Sequence, residues 1–202
     1  MGATQRNPSR KAEPRMNPGV LFDFQARVLS LHGQVEEGNF NVFVDQLLRL
    51  DTDAKRPITI YFSGCGGNLI DTLKVLDIFA TLRSPTTGIG MGLNEGASAI
   101  LLTGTGTRLM LPSSLLCTAR LWDLPGPQVG LQTSTTETLR SHLHERLQIL
   151  KARWPQAIRL VLEAERQPRF IAAGEALALG LIDRIIQKDP IVLPAHHHHH
   201  VR

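Results

Sequence analysis

Cysteine is scarce. The 202-residue chain has two, Cys65 and Cys117, far apart in sequence. Neither has CxxC or metal-ligand spacing, so no disulfide framework or thiolate metal site is expected, and a reducing compartment is. No apolar run approaches the ~20 residues of a membrane-spanning helix. The first 19 residues lack the apolar core of a secretory signal. They are Arg-rich and acid-poor, which keeps an organelle transit remnant open as the alternative to a plain flexible segment. Aromatic residues make up 5% of the chain, and no basic run interleaves with them. That argues against a nucleic-acid partner. The net charge of +4 is too small to specify a partner, and part of it is Arg6, Arg10, Lys11 and Arg15 facing only Glu13.

An apolar content of 42% and a charged content of 20% describe an ordinary globular chain, and the length suits one domain with a full core. Residues 1–20 hold Pro8, Pro14 and Pro18 and no apolar period, and read as flexible. Residues 21–190 form the domain. Residues 191–202 are a tail whose run His196 to His200 reads as an expression tag, with a natural metal-binding tail as the alternative.

Strand and helix patterns alternate along the domain. Residues 27–31, 58–62, 86–91, 108–111, 115–121 and 182–186 read as strands. Val42, Phe43, Leu47 and Leu50 have helical spacing, as do Leu69, Leu73, Leu76 and Phe79. A third helix starts near Gly96. A long one is expected over 134–154, with Leu139, Leu143, Leu147, Leu150 and Trp154 on one stripe. Pro155 ends or kinks it. Two more helices are expected over 157–165 and 172–179, the last closed by Gly180. The alternation predicts an α/β fold with largely parallel pairing.

Two glycine turns stand out. Ser63-Gly64-Cys65-Gly66-Gly67-Asn68 and Gly92-Leu93-Asn94-Glu95-Gly96-Ala97-Ser98 each follow a strand pattern and precede a helical one. Such turns let backbone approach a ligand and leave N–H groups free. Side by side, they suit a developing oxyanion, as in acyl chemistry.

With Arg27 to Gly33, Arg108-Leu109-Met110-Leu111-Pro112-Ser113-Ser114 and Arg169-Phe170-Ile171-Ala172-Ala173-Gly174-Glu175-Ala176 through Asp183, these turns make five ordered matches. Over about residues 24–187 the chain resembles the proteolytic subunit of the Clp protease, within the Clp and crotonase superfamily. The resemblance implies a spiral of ββα units with a protruding handle helix over 134–154. It also implies axial pore loops in the first 20 residues.

Matched residue by residue, the family's nucleophilic serine falls on Gly96, its histidine base on Ala119 and its orienting aspartate on Pro168. All three chemical groups are absent. The oxyanion-hole positions fall on Gly67 and Ala97. Ser98 lies about 200° around a helix from Gly96 and is expected to point into the packing. Cys65 reads as inert, and His32, His142 and His144 as surface residues. Glu95 reads as a capping carboxylate. Arg166-Gln167 replaces the family's usual acid-arginine pair between rings.

The resemblance implies a non-catalytic, ClpR-type ring subunit, not an enzyme, with no cofactor and no metal. Its implied partners are an active ClpP paralogue in a homo- or hetero-oligomeric heptameric ring and a AAA+ Clp ATPase. Nucleic acid and membrane are not among them. The leucine stripe Leu139, Leu143, Leu147 and Leu150 is the assembly candidate. The setting is cytoplasmic or, alternatively, the plastid stroma. The competing reading is a crotonase-type acyl-CoA binding protein or enzyme with Glu95 as its acid or base; a further one is a scaffold without a proteolytic partner.

Overall fold

The computed structural model describes residues 19–35, 37–118, 141, 142, 145, 147, 148, 151–166 and 169–186. Among these, six strands form one sheet: β1 (Val20–Asp23), β2 (Val28–Val35), β3 (Ile58–Gly66), β4 (Thr86–Gly90), β6 (Thr107–Met110) and β9 (Arg184–Ile185), in the order β1-β2-β3-β4-β6-β9. Only β1 runs antiparallel to its neighbour; the other pairs are parallel. A second sheet holds β5 (Leu93–Glu95), β7 (Leu115–Cys117) and β8 (Phe170–Ala172), in the order β5-β7-β8. The helices are α1 (Glu37–Asp53), α2 (Leu69–Thr81), α3 (Ala97–Thr103), α4 (Pro155–Arg166) and α5 (Ala173–Ala178). The expected α/β class is the observed one.

The helices form where the apolar period said they would. Phe40, Phe43, Leu47 and Leu50 of α1 are all buried, as are Leu69, Leu73, Leu76 and Phe79 of α2. Asn68 caps α2: its Oδ1 accepts from Asp71 N at 2.9 Å, and its Nδ2 donates to Asp71 Oδ2 at 2.7 Å. Phe43 sits between Phe62 and Phe79, with ring centroids 6.4 and 6.5 Å away. All seven residues of α3 are buried, so this short helix runs through the core.

Twice the chain leaves the large sheet and adds a strand to the small one. It does so from β4 to β5 and from β6 to β7. The backbone of the first step is fixed by Met91 N donating to Phe62 O (2.8 Å) and Leu115 N donating to Gly92 O (2.8 Å).

The structure departs from the sequence reading in several places. β1 was not expected; it is a four-residue edge strand with Phe22 half exposed, and the sheet begins at Val20 rather than after a flexible residue 20. β3 runs on through Ser63 to Gly66, paired with β2 down to Val35, so the first turn is confined to Gly67 and Asn68. α1 extends through Thr52 and Asp53. β5 and β8 span three residues each, too short for an alternating pattern to register. Pro155 opens α4, where its missing N–H has no helical partner to lose.

Candidate functional site

The two glycine turns meet at the C-terminal ends of β3 and β5. Gly67 has φ +90°, a left-handed conformation that favours glycine, and a Cβ built on it would lie 2.5 Å from the Ala97 Cβ. Gly67 and Ala97, the two predicted hole positions, are therefore neighbours in space. Ala97 is fully buried as the first residue of α3.

Gly96 links β5 to α3 with φ 61° and ψ −121°. A side chain on such a strand-to-helix turn is held in a strained, projecting conformation, which is how serine hydrolases present a nucleophile. Here the backbone form is present and the side chain is a hydrogen. Asn94, fully buried, holds the elbow from beneath. Its Nδ2 donates to Met91 O (3.2 Å), and its Oδ1 accepts from Ser98 Oγ (3.0 Å). Ser98 is fully buried too, so its hydroxyl faces the packing, as the helix geometry predicted.

One cross-strand row gathers the rest: Glu95 is registered with Cys117, and Cys117 with Phe170. Gly96 N donates to Cys117 O at 3.4 Å. One residue beyond the row, Thr118 N donates to Arg169 O (3.1 Å), and Arg169 N donates to Thr118 Oγ1 (2.9 Å). Ala119 and Pro168 lie outside the described residues; their described neighbours Thr118 and Arg169 are clasped together, a residue beyond the row that Gly96 follows.

No described side chain at this end replaces the missing groups. Cys117 is buried, and burial, followed by the nearby Glu95 charge, pushes its thiol above the usual value, away from the reactive thiolate. Cys65 is half-buried in β3. His32 was expected at the surface; it is half-buried in β2, registered with Ser63, on the far side of β3 from β4. His142 is exposed, 3.8 Å from Glu145, and His144 lies outside the described residues. No group of three or more His, Cys, Asp or Glu among the described residues is placed to hold a metal.

Of the assembly candidates, Leu139, Leu143 and Leu150 lie outside the described residues. Leu147 is fully buried in the main core, which corrects its reading as an interface residue: the stripe turns this side chain toward its own subunit. Trp154 packs on the same core, with the Arg153 guanidinium 5.7 Å from its ring. Arg166 and Gln167 carry no described side chain.

Sequence reading missed Asn94 and the Thr118–Arg169 clasp. The four-residue spacing of Asn94 and Ser98 across the turn was the available signal for the first. The second joins residues 51 apart and left none.

The geometry defines a mixed α/β protein with an elbow and a paired-turn cleft at one end of its sheet. A profile of the Clp protease family matches residues 19–189, and the chain belongs to that family. It is 25% identical over 196 residues to the ATP-dependent Clp protease proteolytic subunit 4, chloroplastic, of Arabidopsis thaliana. That match covers 95% of this chain and 66% of the relative, so the chain spans just under two thirds of the relative's length. Both similarities favour the Clp reading over the acyl-CoA one.

Proposed function

We propose that the chain is a non-catalytic ring subunit of an ATP-dependent, Clp-type serine protease core, a pseudoenzyme contributing assembly and ATPase docking rather than peptide hydrolysis. The observation that carries this is Gly96: the elbow keeps the backbone of a nucleophile turn and has no hydroxyl. The next hydroxyl, Ser98, is buried and donates to Asn94. Ala119 and Pro168 supply neither imidazole nor carboxylate at the matched positions. A triad acts as a unit, so losing all three members leaves only what binding and the oxyanion turns can do.

Such a chain acts through its surfaces. The reading places it in a heptameric ring, alone or mixed with an active paralogue, beneath a AAA+ ATPase. Leu139, Leu143 and Leu150 are the association candidates, while Leu147 serves the subunit's own core. The relative's name includes the word chloroplastic, which favours the plastid stroma over the cytoplasm.

The test has two arms. Purified chain is incubated with fluorogenic peptides and a serine-reactive fluorophosphonate; no turnover and no labelling are expected. Labelling lost on Ser98→Ala would overturn the non-catalytic reading. Native mass spectrometry with and without an intact-triad paralogue should show rings, and a stable monomer under both conditions would sink the ring-subunit reading. In the mixed ring, Leu143→Glu should abolish assembly while the chain stays folded.

A further inference from the structure

The face of the large sheet that carries Tyr61 is buried without a visible cover. Val28, Tyr61, Ile89 and Leu109 form a cluster there, each no more than 8% exposed. Tyr61, Ile89 and Leu109 stand side by side in register across β3, β4 and β6. Packed against them are Met91, just past β4, and Ile186, just past β9. No helical residue among those described joins the cluster; the helices pack into the main core. A sheet face needs a second layer to take its side chains out of water. A tyrosine only 6% exposed, its hydroxyl pushed above the ordinary value of 10.0 by burial, fits a covered face rather than an open one.

We propose that the segment following β9 is that cover, with Ile191, Val192 and Leu193 laid across the strands over Tyr61 and Val28. Ile186 starts the segment on the cluster, its N–H bonded to Met110 O at 2.9 Å. The reach fits. From β9 to β3 is three strand spacings, about 14 Å, and to β2 about 19 Å. Five to seven extended residues beyond Ile186 span about 17 to 23 Å, which sets Ile191 to Leu193 over the β3–β2 end of the cluster. Pro190 and Pro194 bracket the apolar triplet. They favour an extended chain and lack donors, so the segment crosses the face rather than adding a strand. The face is then occupied by its own subunit, and any partner that uses it must displace the strap. The inference is independent of whether the subunit is catalytic.

Tyr61 is the only tyrosine in the chain, which gives a clean probe. Full-length protein labelled with 3-fluorotyrosine should give a single fluorine resonance. In Val192→Asp, and in a chain lacking residues 188–202, that line should shift, and its broadening by a soluble paramagnetic chelate should rise severalfold. A peptide of residues 187–195 added to the shortened chain should reverse both changes. A line identical in the full-length and shortened chains overturns the proposal. So does a line that moves only on removing residues 1–18, which would make that segment the cover. A line that changes with protein concentration in both chains would make the cover a second copy, and also overturns it.

Discussion

The two ends of the six-stranded sheet are built differently. At the N-terminal ends of β2, β3 and β4 the chain concentrates buried polar bonds. Arg27, 3% exposed and in a left-handed conformation (φ 57°), donates to Pro57 O, Ala54 O, Arg56 O, Ser84 Oγ and Asp53 Oδ2. Asp51 accepts from Arg83 N (2.9 Å) and Ser84 N (2.8 Å). At the C-terminal ends stand the glycine turns, with Asn94 and Ser98 holding the elbow. Enzyme sites are where titratable groups with shifted pKa values gather. Here the two carboxylates with lowered values, Asp51 and Asp183, both serve the opposite end, next to the starts of β4 and β9. The difference supports a molecule whose site end keeps its shape and has lost its chemistry.

The comparison breaks most sharply at Arg27. Arg27→Met keeps the bulk and removes every donor, leaving three loop carbonyls buried and the Asp53 carboxylate unpaired. A loss of about 3 to 5 kcal/mol is expected by chemical denaturation, as for breaking a buried charge network. A loss below about 1 kcal/mol would show that the loops are held by other contacts. Gly67→Val comes next. The added Cβ would meet Ala97, and φ +90° strains any side chain, so about 2 to 4 kcal/mol is expected from overpacking and backbone strain together. A stable Gly67→Val would mean the two turns are free to part.

Gly96→Ser sharpens the contrast with Gly67. The serine adds strain worth about 1 to 2 kcal/mol and nothing to activity by itself. Gly96→Ser, Ala119→His and Pro168→Asp together should restore measurable peptidase turnover, with each single change at background. A folded, assembled but inert triple variant would show that the cleft has been remodelled as well. Pro168 makes that the demanding step, since proline fixes φ and withholds a donor.

Much of the fold was legible. Long apolar periods such as those of α1 and α2 depend on residues near in sequence, and the structure follows them. The three-residue strands β5 and β8 are set by partners far along the chain, so no local pattern announces them. At the site, Gly67 and Gly96 were legible because a turn after a strand and before a helix asks for glycine. That Ala97 sits against Gly67 was readable only through the family resemblance. The stripe over 139–150 misled for Leu147, because helical spacing marks a buried face without saying whose surface buries it.

The smallest effect expected is a pH dependence that belongs to the N-terminal end of the sheet and not to the site. Burial pushes the Asp51 carboxyl up, and the bonds from Ser84 and Arg83 outweigh it, so its value falls below the ordinary 3.8. The bonds from Arg108, to Oδ2 at 2.8 and 3.1 Å and to Oδ1, hold Asp183 below its ordinary value in the same way, against the push of burial. A folded value depressed below the unfolded one stabilises the protein fully above the unfolded value, and the gain is lost as pH falls through the folded value. These two groups therefore leave stability level from neutrality down to about pH 5 and lower it below about pH 4. Thermal midpoints measured from about pH 6 to about pH 2.5 should show a shallower acid slope in Asp51→Asn than in the unaltered chain. The flattening in Asp183→Asn should be smaller, because that carboxylate is 41% exposed and water screens its pair with Arg108. An acid slope unchanged in both variants, or one that instead disappears with Glu95→Gln, would move the pH-sensitive groups to the site end and undo the contrast between the two ends.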